Sequence, residues 1–209
     1  MINITRHPII IFSTPRVGST ALSRYIKNIA PPDLLYFAEP DHRGDIAIQN
    51  FLKIMDSTKK FILKVHLQHI QKYQPNTDYL LYDPEPFRIR IRRRDFIKQA
   101  VSLYITTVKN KRRDKEIWNA WKGGTAYDIL LQETEPLPYT EAGIIKALQS
   151  VHRTTTELNN SDIKFDLDLY FEDIIPLINT TNFVEYPKPK NYQEILDTAY
   201  KINEIIQLG

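Results

Sequence analysis

The 209-residue sequence contains no cysteine. Disulfide frameworks, thiolate metal sites and cysteine nucleophiles are therefore excluded together. Glycine is scarce, at 6 residues. That count does not suit a linker-rich or low-complexity chain. Long apolar runs are also missing. The stretch Ile9–Phe12 is four residues long, far short of a secretory or membrane-spanning segment. The first residues carry no signal pattern, so the expectation is a soluble, cytoplasmic protein with no membrane partner. Net charge is only +3, too small to define a partner by itself. What is present is ordinary core material. Hydrophobic residues make up 42% of the chain and tyrosine is frequent at 12, so one domain over residues 1–209 is expected.

Residues 8–13, "PIIIFS", read as a continuous apolar strand of the kind buried on both faces of a parallel sheet. A helix pattern follows at 18–29 and stops at "APPD". "LLYFAEP" and "KFILKVH" read as further strands, with a helix at 44–57 between them. "YLLYD" and "FRIRIR" both read as strandlike. Asp95 is a good N-cap for a helix at 96–109. Helices are expected at 140–158 and 191–207, and a last strand and turn within 163–174. Interleaved helices and strands imply a three-layer α/β/α domain around a mainly parallel central sheet.

The loop "STPRVGST" joins the first strand to the first helix. The helix start offers N–H groups without intrahelical acceptors and a positive dipole end. Ser19 and Thr20 add hydroxyls, and Gly18 lets backbone come close to a ligand. Together they can cradle a tetrahedral anion. The common phosphate loop, G-x-x-x-x-G-K-[ST], is not matched, because its first glycine and its lysine are absent. A plain strand-to-helix turn would read the same way.

A second cationic feature is "RIRIRRR" at 88–94, five arginines in seven positions. Taken alone, a run of this kind is expected to be a solvated basic edge strand, and its functional reading is an anion site. Alternation places Arg88, Arg90, Arg92 and Arg94 on one face, an odd pattern for a central strand.

"TPRVGSTALSRYI" resembles the 5′-phosphosulfate loop of sulfotransferases that use 3′-phosphoadenosine 5′-phosphosulfate (PAPS). Val17 stands where that family has serine. The family's 3′-phosphate motif is an arginine at a strand end and a serine eight residues on. Arg94 and Ser102 in "RRRDFIKQAVSLY" match it. "DLYFEDII" resembles the family's late "xYExL" segment, and "KPKNYQEILDTAYKINEI" its late basic loop and helix. The resemblance implies a P-loop-NTPase-like fold and sulfuryl transfer by in-line displacement, with adenosine 3′,5′-bisphosphate as product. It implies a small-molecule or carbohydrate acceptor, and neither a metal nor nucleic acid as partner.

Carried over by residue, Arg16 stabilises the leaving oxygen electrostatically. Arg16, Val17, Gly18, Ser19 and Thr20 hold the 5′ side. Arg94 and Ser102 hold the 3′-phosphate, with Lys188 and Lys190 closing on it. Two residues are candidate bases. Glu39 ends a strand 23 residues after Arg16, a spacing similar to that of the catalytic glutamate of carbohydrate- and protein-modifying members. His66 in "ILKVHL" resembles the "KxHL" strand end of the phenol- and steroid-sulfating branch, where the lysine contacts the sulfuryl group. The loop and "QAVS" wording favour Glu39. Trp118 and Trp121, three apart, read as core packing. His42, His69 and His152 belong to no pattern. The rival readings are a P-loop kinase of a small metabolite, a non-catalytic module holding nucleic acid through the arginine run, and a member that binds the cofactor without turnover. The acceptor and the oligomeric state are left open.

Overall fold

The computed structural model describes residues 4, 6–39, 45–74, 76–112, 136–178 and 188–207. Trp118, Trp121 and His42 lie outside them. Two compact units are found, Met1–Arg94 with Thr154–Phe183 and Asp95–Arg153 with Val184–Gly209.

The first unit is built on a five-stranded sheet, every pair of which is parallel. The strands are β1 (Ile9–Ser13), β2 (Leu35–Ala38), β3 (Phe61–Val65), β4 (Phe87–Arg92) and β5 (Leu167–Tyr170). Their order is β2-β3-β1-β4-β5. β1 is central and buried along its whole length, as its unbroken apolar run requires. In chain order the helices of this unit are α1 (Ser19–Ile29), α2 (Asp45–Ser57), α3 (Leu67–Gln71) and α4 (Asp78–Tyr82). The helices α5 (Phe96–Arg112) and α6 (Glu141–Asn159) follow. Then come α7 (Phe171–Ile178), again in the first unit, and α8 (Tyr192–Gln207).

Strand alternation divides the apolar side chains between two cores. On one face Ile9, Ile11, Ile62, Ile89 and Ile91 meet Leu22 and Ile26 of α1 and Ile174 of α7. On the other, Ile10, Phe12, Phe61 and Leu63 meet Phe51 and Met55 of α2, together with Ile70 of α3 and Leu80 of α4. The first unit is thus helix, sheet, helix in three layers, and the chain is an α/β protein with an all-parallel central sheet. In the second unit, Val101 and Tyr104 of α5, Ile144 and Leu148 of α6, and Ile195 and Ala199 of α8 form their own core. Among the described residues, no helix is long and apolar enough to cross a membrane.

Two elements depart from the sequence reading. "YLLYD" is not a strand but the short helix α4, and the turn expected after β5 is the helix α7. The first replaces an apolar run only a few residues long, in which period 2 and period 3.6 cannot be told apart; the second is an eight-residue helix with a proline inside it, a helix breaker that points to a turn.

The strand that carries the arginine run is not the solvated edge strand expected: β4 lies between β1 and β5, and its arginines are engaged by neighbouring elements. Arg88 is buried and caps α4. Its Nε donates to the Leu80 carbonyl at 2.8 Å, and its guanidinium also reaches the carbonyls of Tyr79 and Asp83. Carbonyls at a helix end lack intrahelical donors, as at Leu80; that of Tyr79 also accepts from the Asp83 N–H. Arg90 and Arg92 converge on Asp168 of β5, at 2.5 and 2.6 Å, and lie over the rings of Phe165 and Tyr170. The polar face of β4 is therefore a ladder of internal pairs with the acidic, aromatic segment 165–173.

Candidate functional site

A parallel sheet builds its sites at the carboxyl ends of its strands, where connections diverge to opposite sides. From β1 the chain crosses to β2 at one edge. From β3 it passes over β1 to β4. The ends of β1 and β4 flank this divergence. The loop 14–18 follows β1, Glu39 follows β2, His66 follows β3, and Arg93 and Arg94 follow β4.

Arg16 and Glu39 are the non-glycine residues with positive φ among the described residues, at 62° and 47°. Such left-handed positions cost energy for a residue with a Cβ and concentrate at functional sites. Both are residues that the sequence singles out for chemistry.

Glu39, Lys64 and His66 form one cluster. Lys64 is on β3, and its side chain is 8% exposed. Its ammonium lies 2.8 Å from Glu39 Oε1 and donates to Thr20 Oγ1 at 2.9 Å. It thereby ties the end of β2 to the first turn of α1. His66 Nε2 lies 3.3 Å from the same Glu39 oxygen, and its Nδ1 lies 2.7 Å from the Ser13 carbonyl. Glu39 Oε1 is thus the point at which Lys64 and His66 meet. Burial opposes charge on Glu39, but the His66 hydrogen bond and the Lys64 charge outweigh it. They hold its carboxyl well below the ordinary carboxylate range.

The sign of that shift gives an expected result. A depressed folded value contributes stability above the unfolded-state value and loses it as pH falls through the folded one. Glu39→Gln should therefore lower the melting temperature by a constant amount from about pH 6 to about pH 5, and by less and less below about pH 4.5. Circular-dichroism melts of both proteins across this range test it. A gap that stays constant down to pH 2 would mean that Glu39 is not ion-paired.

The remaining candidates fall out as follows. Ser19 and Thr20 open α1, whose N-cap is Gly18 at φ 85°. Val17 is fully buried in the α1-side core, so its side chain serves packing rather than a ligand. The space that a Cβ on Gly18 would fill belongs to the Phe171 ring, whose nearest carbon would be 2.1 Å away. The glycine therefore admits this ring from α7, a different close approach from the one expected. Arg94 makes a two-pronged pair with Asp173, 2.7 Å for each prong, above the Tyr170 ring. Ser102 lies on α5 in the second unit, where its carbonyl accepts from Thr106. Lys188 and Lys190 are exposed, and the Lys188 ammonium lies 5.0 Å from the Tyr192 ring centre. His69 stands edge-on to His66 at 5.2 Å. Among the described residues, no group of three or more His, Asp or Glu side chains is placed to hold a metal ion.

The residue that sequence reading left without a number in the site is Lys64. Its signal was the "K" of "KVH". A lysine two before a strand-end histidine shares the histidine's side of the strand. Phe171 and Asp173 had no signal of their own, because α7 was read as a turn.

No family model matches the chain, and no curated protein does. Two solved structures resemble it in backbone. One is a shikimate kinase from Acinetobacter baumannii in complex with shikimate, at 12% identity and a TM-score of 0.35, covering 85% of this chain and 96% of that one. The other is mouse sulfotransferase SULT7A1 complexed with PAP, at 16% identity and a TM-score of 0.42. The second match covers 91% of this chain and 63% of that chain. Both likenesses are distant, one to a kinase and one to a sulfotransferase, and neither distinguishes between these activities.

Proposed function

We propose that the chain is a PAPS-dependent sulfotransferase, moving a sulfuryl group to a hydroxyl or amine acceptor. The observation that carries this reading is the Lys64 ammonium, held between Glu39 and Thr20 at the start of α1. The anion loop lacks a lysine of its own, and β3 delivers one to it. An ammonium has three donors and these partners use two. The third, with the N–H groups opening α1, suits a tetrahedral anionic group. The bound nucleotide supplies the sulfuryl group and leaves as the 3′,5′-bisphosphate. Lys64 and Arg16 stabilise charge on the sulfuryl and leaving oxygens. Arg94 holds the 3′-phosphate. Glu39 orients the acceptor through its second oxygen; its cationic neighbour Lys64 makes it a weak base, so it takes the acceptor's proton late, once the forming S–O or S–N bond has made that proton acidic. His66, 3.3 Å from the same carboxylate, is the second candidate for the base. This division of labour needs positioning and electrostatics rather than covalent help from the protein. The acceptor is a small molecule or carbohydrate, and the protein works as a soluble, cytoplasmic enzyme of one domain.

A small-metabolite kinase would use the same cradle. Calorimetric titration separates the two. Adenosine 3′,5′-bisphosphate should bind in preference to ADP and ATP, and Arg94→Ala should abolish that preference. Tighter binding of ATP, or indifference to the 3′-phosphate, would overturn the proposal.

A further inference from the structure

We infer that Asp173 is a resident carboxylate that occupies the Arg94 fork and gives way to a phosphate group, setting how tightly that fork holds its ligand. The inference concerns the same site and rests on the reading of Arg94 as a phosphate-binding residue. The two guanidinium prongs meet the two carboxylate oxygens at 2.7 Å each. This planar, two-bonded geometry is the one by which arginine also holds a phosphate. The Tyr170 ring, 4.5 Å from the guanidinium carbon, supports the fork from one side. Glu172, the preceding residue, accepts from the Arg94 backbone N–H at 3.2 Å and lies 3.6 Å from Arg93 Nε. Two successive carboxylates at the start of α7 thus answer two successive arginines at the end of β4.

The arginines of this run are not equally committed. Arg88 is buried against backbone carbonyls, and the Arg90 and Arg92 side chains are 17% and 24% exposed around one carboxylate. The Arg94 and Asp173 side chains are 53% and 55% exposed. Pairs that exposed are weak, because solvent screens them and two mobile side chains must be held in place. A phosphate dianion offers the same geometry with more charge, so it wins the exchange. The displaced carboxylate does not lose everything. It remains in the first turn of α7, where the helix dipole favours negative charge. Asp173 therefore acts as a weak built-in competitor, and its removal should tighten phosphate binding rather than loosen it.

The test compares wild type, Asp173→Asn, Arg94→Ala, and Asp33→Asn as a charge control whose carboxylate pairs with Lys60 instead. Calorimetry measures adenosine 3′,5′-bisphosphate and adenosine 5′-monophosphate. Melting temperature against inorganic phosphate gives a readout independent of the nucleotide. Asp173→Asn should bind the bisphosphate roughly three- to fivefold tighter than wild type. The monophosphate and Asp33→Asn should show no such gain. A bisphosphate preference that requires Arg94 but is unchanged or weakened by Asp173→Asn would overturn the inference and leave the sulfotransferase reading standing. If no protein prefers the bisphosphate, the sulfotransferase reading fails. The inference then survives only if phosphate raises the melting temperature of Asp173→Asn more than that of wild type, and falls if it does not.

Discussion

Replacing Lys64 by methionine should slow turnover of the sulfated cofactor by about 10²–10³-fold while leaving the fold in place. The estimate is the usual loss on deleting one preorganised donor aimed at developing charge, about 3–4 kcal/mol. Methionine keeps the aliphatic stem that packs beneath α1 and removes the ammonium alone. Because Lys64 is nearly buried and faces both Glu39 and Thr20, no neighbouring side chain can reach its position without rearranging the cluster. Glu39 keeps its His66 partner, so the carboxylate is not stranded and the melting temperature should fall only modestly. The acceptor need not be known. Slow transfer to water, read as sulfate release at saturating cofactor, reports on the same sulfuryl chemistry. Binding of the bisphosphate, measured separately, should weaken far less than turnover, because the ammonium acts on charge that grows during transfer. Equal losses in binding and turnover would make Lys64 a ground-state anchor. Unchanged turnover would reduce it to a strut between β2 and α1.

Much of this arrangement was legible in the sequence, and what was not has definite causes. The strand at 8–13 follows from its unbroken apolar run, and the helices at 18–29, 44–57, 140–158 and 191–207 from longer periodic stretches; their alternation gives the layers. Glu39 and His66 were chosen separately, from their spacing to the loop and their places at strand ends. That His66 and Lys64 meet at one oxygen of Glu39 was not legible, because it depends on β2 and β3 being neighbours in register. Ala38 pairs with Lys64, and Glu39 N–H donates to the Lys64 carbonyl at 2.8 Å. Pairing of two parallel strands across a helix leaves no local trace in either strand. The arginine run misled for the same reason. Read alone, it is a cationic face. Read against β5, whose register sets Arg90 opposite Asp168 and Arg92 opposite Tyr170, it is half of a complementary ladder. The other half lies more than seventy residues away. Charge patterning along one segment cannot show whether its partners are solvent or another strand.

Gly18→Ala should destabilise the protein by about 2–5 kcal/mol with no ligand present, a large part of the stability of an ordinary domain. Two costs add. A residue with a Cβ at φ 85° pays about 1–2 kcal/mol for the left-handed backbone. Its methyl would also stand 2.1 and 2.3 Å from two carbons of the Phe171 ring, an overlap relieved only by moving that ring or α1, typically about 1–3 kcal/mol. The ring is not free to swing aside, because it packs against the α1-side core and lies under the Arg93 guanidinium. Denaturant titration of wild type, Gly18→Ala, Phe171→Ala and the double variant forms a cycle. Removing the ring should make the alanine at 18 cheaper, leaving the backbone cost alone. The same cycle tells the two meanings of this glycine apart. A glycine kept for close approach of a phosphate would, when substituted, cost only the left-handed backbone strain, recover nothing in the double variant, and lose nucleotide affinity. A glycine kept for Phe171 loses stability first, and part of that loss is recovered in the double variant. The contact with Phe171 makes the second result the expected one, with Gly18 fixing where α1 begins and so where its N–H groups point.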